Sequence, residues 1–261
     1  MVEQSRVRAV RWRDLLQLNR FEILHEWGLS LPWLLASWFA AAHALYLPAL
    51  ACAFMFFLTG LRQAHNAHHY ALGLSRPATE WVLFGLSLLM FSSMYAVQVN
   101  HLRHHRFCMG EEDVEGASAR MPWWKALLTG PLFPLRLHHK ALEVGDARQR
   151  RWIAAELTGI FGWVVLVFAV LEFSWLQFHV IAMAIGQCCT AFFAVWTVHH
   201  DCEREGLFAR TIRNRTKAFL TYEMFYHMEH HLFPAVPTCK LPILAKRIDA
   251  LAPELAGKKV F

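Results

Sequence analysis

Residues 152–201 read WIAAELTGIFGWVVLVFAVLEFSWLQFHVIAMAIGQCCTAFFAVWTVHHD, without one Lys or Arg. About 20 apolar residues cross a bilayer, so this run is long enough for two crossings. It divides at Glu172, Phe173 and Ser174, predicting spans over 152–171 and 175–197. Toward the N-terminus, a second run without Lys or Arg covers Phe21 to Leu61, and from Trp27 it lacks acids as well. It divides near His43 to Pro48, predicting two short helices over 27–44 and 46–64 joined by a tight turn. The chain is 56% hydrophobic and only 18% charged, against roughly 25% in soluble domains, which argues against a disordered or solvating chain.

Charge placement supports four crossings. All 26 Lys and Arg fall in residues 1–26, 62–152 and 197–261, which four spans put on one side. The net charge of +6 therefore belongs to one face, and the positive-inside rule makes that face cytoplasmic. A single span over 27–61 would strand five Arg on the opposite side. A fifth apolar run, Trp81 to Val99, contains Ser87, Ser92, Ser93 and Gln98, which weaken it as a span. Trp33, Trp38, Trp81, Trp123 and Trp124 suit an interfacial belt. Arg148, Arg150 and Arg151 suit contact with anionic headgroups or an acidic electron-donor protein. Six cysteines without a CxxC pair read as free thiols.

Sixteen histidines are more than such a chain needs, and nine of them form three clusters of one pattern. His65-Asn66-Ala67-His68-His69, His101-Leu102-Arg103-His104-His105 and His227-Met228-Glu229-His230-His231 all read HxxHH. Positions i, i+3 and i+4 share a helix face, so each cluster aims two or three imidazoles at one point. Imidazole suits Fe, Zn, Cu or Ni, and eight or nine exceed the needs of one tetrahedral zinc. A dinuclear site follows. His65 comes straight after the second predicted span, and His199-His200 straight after the fourth. The clusters can meet only if 81–99 does not cross, so that run is expected in the interface or against the bundle. His25, His43 and His179 are isolated and read as packing residues, and His138-His139 as a pair in a basic loop.

The third cluster continues as Phe225-Tyr226-His227-Met228-Glu229-His230-His231-Leu232-Phe233-Pro234-Ala235-Val236-Pro237, then Leu241-Pro242. It resembles the "YHxEHHLFPxVP…LP" signature of the membrane fatty acid desaturase family. The second cluster is followed by Glu111-Glu112-Asp113, as similar boxes in that family are. The resemblance covers roughly residues 50–250. It implies an all-α integral membrane fold, with four spans and a helical cytoplasmic cap holding two non-haem irons. Carried over, the ligands are His65 and His69, then His101, His104 and His105, then His227, His230 and His231. His200 is expected as the additional ligand after the last span, with His199 in a place where the family often has Glu. Asp113, Asp201, Glu203 and Glu229 are candidates to orient ligating imidazoles.

The implied activity is O₂-dependent desaturation of a lipid or fatty acyl chain, driven by two electrons from a separate ferredoxin, rubredoxin or cytochrome-type donor. The whole chain, 1–261, is expected to form one such domain, with its termini and metal site cytoplasmic in a bacterial inner membrane. A hydroxylase, acetylenase or carotenoid ketolase would use the same site. A metal transporter is the remote alternative, since its ligands belong within the spans. There the chain offers only Glu156, Glu172 and His179, each isolated.

Overall fold

The computed structural model describes residues 6–7, 9–203 and 208–260. Among them every extended element is helical, apart from one parallel bridge between Thr211 and Lys259. In order, the helices are α1 (Arg20–Gly28), α2 (Leu31–Ala42), α3 (Tyr46–His68), α4 (Arg76–Met90), α5 (Met94–Phe107), α6 (Trp123–Leu128), α7 (Leu132–Val144), α8 (Ala147–Leu166), α9 (Ser174–Thr190), α10 (Arg215–Leu220), α11 (His227–Leu232) and α12 (Leu241–Leu251). A π-helical turn, Val167–Leu171, prolongs α8. A π stretch, Ala191–Trp196, and a last turn, Thr197–His199, prolong α9.

Three segments are long and apolar enough to cross a membrane: Tyr46–His68, Ala147–Leu171 and Ser174–His199. Their outer faces are greasy, with Phe161 71% and Val170 66% exposed. Apolar surface of that extent marks a lipid-facing wall rather than a solvated one. The expected turns lie where the sequence puts them, at Ala44 and at Glu172, both in the left-handed region. The expected span 27–44 is the departure. The chain breaks at Leu29 and Ser30, and the 12 residues of α2 reach only about 18 Å at about 1.5 Å each. α2 therefore packs along α3 as a half-length partner, joined to it by the tight turn.

The 81–99 run is two helices meeting at 111°, α4 and α5. Phe91, at φ 58°, ends α4 and reverses the chain. A sharp bend exposes backbone groups that a membrane interior cannot hydrate. Polar side chains from the spans meet that need. His179 Nε2 donates to the Leu89 carbonyl at 2.9 Å, and Gln187 Nε2 to the Met90 carbonyl at 2.7 Å. The carboxylate of Glu156, fully buried, accepts from the Ser93 hydroxyl and from the Tyr95 amide. An acid at the first turn of α5 also complements the positive end of that helix's dipole. Ser87 and His138 accept from the Met94 and Ser93 amides. The isolated polar residues of the spans thus support a bend, and the bend returns α5 to the end of α3. Gln98 Nε2 ties the two by donating to the His68 carbonyl at 3.0 Å.

The basic end is closed by a cap of α10, α11, α12 and the N-terminal segment. Val10, Leu15, Ile212, Val236, Leu244 and Ile248 form its core with Val198 of the last span. Arg247 clamps Asp14 through two bonds of 2.8 Å, and Arg213 clamps Asp249. A buried pair joins cap to bundle: Arg62 of α3 makes bonds of 3.0 and 2.8 Å to Glu26 of α1. The same guanidinium donates from Nε to the Tyr222 carbonyl at 2.7 Å. Asn66 bonds Glu26 and accepts from Thr238.

Candidate metal centre

Four segments deliver histidines to one place. α3 ends on His65 and His68, with His69 as its cap. α5 carries His101, His104 and His105, and α11 carries His227, His230 and His231. His199 is the last helical residue of the third span. The rings fall into two groups. His65, His69, His101, His105 and His230 each offer a nitrogen, all within 4.8 Å of one another. The Nε2–Nε2 separations are 3.0 Å for His69–His101, 3.1 Å for His101–His105 and 2.9 Å for His105–His230. In the second group, His104 Nε2 lies 3.0 Å from His199 Nε2 and 3.3 Å from His231 Nε2. His227 Nε2 closes that ring at 2.9 Å from His199 and 3.2 Å from His231. Cys108 Sγ also falls within reach of this second group.

This arrangement suits cations and little else. His104 Nδ1 donates to Asp113 at 2.7 Å, and His199 Nδ1 donates to the Phe208 carbonyl at 2.7 Å. Both partners only accept, so both Nδ1 atoms carry the proton in the neutral ring. With both rings neutral, the two Nε2 lone pairs face each other at 3.0 Å, a repulsion that a shared cation relieves, either a metal ion or a proton on His104, which against burial Asp113 holds above the ordinary histidine value. Metal–imidazole bonds of about 2.1 Å at right angles put ligand nitrogens about 3.0 Å apart, matching both groups. His65 Nε2 is buried with no protein partner, as a waiting ligand atom is.

Carboxylates orient the rings from behind. Asp113 accepts from His104 and from the amides of Met109 and Gly116, at 2.9 and 2.8 Å. Burial would raise its pKa, but these donors outweigh burial and hold it below the ordinary carboxylate value. A Cβ at Gly116 would collide with that carboxylate. Glu115 accepts from His101 Nδ1 at 2.9 Å, and burial pushes its carboxyl up to about 7. Its role was not visible in sequence, where it stands two residues beyond the acidic run and 14 beyond His101. Burial, then the neighbouring rings, holds His227, His230 and His231 well below the ordinary histidine value, so they stand neutral and ready to ligate.

Several expected roles are not met. His200 turns away from the cluster: its ring stacks on Trp196 at 4.0 Å and its Nδ1 donates to the Trp196 carbonyl. The helix ends at His199 and His200 is extended, so only His199 faces inward. Asp201 and Glu203 are exposed, with Asp201 paired to Arg210, and neither meets a histidine. Glu229 is buried beneath α11 but accepts from Thr211 at 2.6 Å and pairs with Arg213 at 2.7 Å, bracing the cap. His68 is buried beside His101, outside both groups, and neither ring nitrogen has a protein partner.

An apolar cavity lies against the imidazoles. Val97, Phe133, Leu137, Phe193, Ala194 and Val195 line it, and His65, His101, His227 and His230 form its reactive wall. The model of the family described as fatty acid desaturase matches residues 36–259, which include all three clusters, the cavity and the three cap helices α10, α11 and α12. The chain belongs to the fatty acid desaturase family. No individual curated protein matches the sequence. Membership makes the chain a membrane-associated acyl-chain oxidoreductase of the di-iron type, and the likeness of its three histidine boxes to that family's holds.

Proposed function

We propose that the chain is a single-domain, O₂-dependent desaturase that converts a –CH₂–CH₂– segment of an acyl chain to –CH=CH–. The reaction takes O₂, two electrons and two protons and yields two waters. The observation that carries this is the apolar cavity walled by His65, His101, His227 and His230. His65, His69, His101, His105 and His230 would hold one iron; His104, His199, His227 and His231 would hold the other. Two irons in those places supply the oxidising power to break an unactivated C–H bond. Asp113, Glu115 and the Phe208 carbonyl keep the Nε2 atoms of His104, His101 and His199 aimed inward. The cavity's hydrocarbon lining excludes water and sets which carbon lies beside the imidazoles. Electrons come from a separate ferredoxin, rubredoxin or cytochrome-type protein that docks on the basic cap. The Lys and Arg distribution supports a cytoplasmic cap, and a bacterial inner membrane is the expected setting.

Hydroxylation is the second reading. It is favoured by His68 and Glu115 Oε2, buried polar groups of the cavity wall without protein partners, which suit an oxygen on the chain. Expression with a compatible donor, followed by mass spectrometry of lipids and free acyl products, separates the two. New double bonds in the wild type that disappear in His230→Ala support the proposal. An alcohol product moves the assignment to hydroxylase, and unsaturation that survives His230→Ala rejects the site.

A further inference from the structure

A second apolar hollow opens on the flank of the bundle, between α3 and the prolonged α9. Phe54, Leu58, Phe192, Trp196, Leu220 and Tyr222 are among its walls. Phe193, Met224 and Phe225 line both this groove and the reaction cavity, so the two meet there. Phe54, on the lipid-facing side of α3, contacts Phe193 edge-on at 5.4 Å. Phe193 belongs to the π-helical stretch Ala191–Trp196. Such stretches, with widened backbone, recur at functional positions.

The other side of the junction is strained. Tyr222 and Glu223 take φ of 51° and 63° in succession, a conformation that non-glycine residues seldom adopt. The surroundings enforce it. Arg62 Nε holds the Tyr222 carbonyl, Trp33 Nε1 donates to the Tyr222 hydroxyl at 2.9 Å, and the Glu223 amide donates to the Ala218 carbonyl at 2.8 Å. The result places Met224 and Phe225 at the meeting point of groove and cavity. Strain kept by a buried ion pair belongs where position matters. Just before this turn, α10 exposes Phe219 at 76% and Leu220 at 64%, together with Arg215 and Lys217. Apolar and cationic side chains side by side suit the boundary between acyl tails and phosphates.

We propose that the reaction cavity is loaded sideways from the bilayer, by an acyl chain of a phospholipid that passes between Phe193 and the Met224–Phe225 pair. This rests on the acyl-chain reading above and names the source of the chain: a bilayer lipid, with its phosphate over α10, rather than a water-soluble acyl thioester.

Photolabelling tests the route without need of turnover. The full chain, in phospholipid nanodiscs, is irradiated with a phosphatidyl probe carrying a diazirine in mid-chain, and the labelled residues are mapped by mass spectrometry. Labels are expected both on the groove, at Phe54, Leu58 and Leu220, and inside the cavity, at Val97, Leu137 and Ala194. Met224→Trp should abolish the cavity labels while groove labels and iron content persist. Thr221→Trp, at the outer mouth, serves if Met224→Trp does not fold, and should reduce cavity labels likewise. Cavity labelling that either folded variant leaves unchanged overturns the route and spares the acyl-chain reading. Cavity labelling by a soluble acyl thioester probe, with none from the phosphatidyl probe, also overturns the route alone. An unlabelled cavity with both probes overturns route and acyl-chain reading together.

Discussion

His199 and His200 are chemically identical neighbours with opposite positions. His199 closes a ring of four imidazoles, while His200 stacks on Trp196 at its back. His199→Ala is therefore expected to lose bound iron, measured per chain by elemental analysis, whereas His200→Ala keeps it. Equal losses in both would reject the assignment. Asp113→Ala frees the His104 ring, and loss of such a supporting carboxylate commonly weakens metal binding by about 10–100-fold. Eight of the nine proposed ligands were legible from spacing and the family signature, because i, i+3 and i+4 positions converge on any helix. The ninth was not. Which of two adjacent histidines turns inward depends on the residue at which the helix ends, and helix ends blur in sequence. Glu115 was missed for a related reason: its contact with His101 depends on how the loop after α5 folds back.

At the scale of elements, the bend between α4 and α5 decides whether the first and second histidine clusters share a site. Hydropathy alone left 81–99 open to crossing, and only the need for the clusters to meet argued against it. What makes the bend stable is tertiary: Glu156 from α8, and His179 and Gln187 from α9, satisfy the backbone groups that it frees. Removing a partner from a buried donor costs about 1–3 kcal/mol. Glu156→Ala strands the Tyr95 amide and the Ser93 hydroxyl, so it should destabilise the fold by about that much. Measured in detergent, it should also lose iron, since α5 carries three of the ligands. A variant with wild-type stability and iron content would remove Glu156 from this role. Glu156 and His179 read in sequence as isolated polar groups of the spans, and their positions explain them without any transport role.

Across the whole molecule, the polar centre is sealed beneath a basic cap and against an apolar cavity. Burial of His227, His230 and His231 holds them below their unfolded value of about 6.5, so below that pH the unfolded chain binds protons that the folded chain refuses. The sign is definite: stability is complete above about pH 6.5 and falls as the pH drops. Unfolding midpoints of the metal-free protein, taken from about pH 8 down to about pH 5, should decline in that order. A flat profile would show that protons reach these rings in the folded state.

The sequence by itself determined that this is a membrane protein and that the histidines of its three clusters gather at one site. Those properties are local, carried by runs of apolar residues and by spacing along a helix. It did not fix α2 as half a span: Gly28, Ser30 and Pro32 signal a helix start inside the run, but apolar residues continue on both sides of them. Nor did it reveal which imidazoles pair, what braces the bend, or that a groove on the lipid side meets the cavity at Met224 and Phe225. Those were decided only when distant segments packed, since each depends on contacts between residues far apart in the chain.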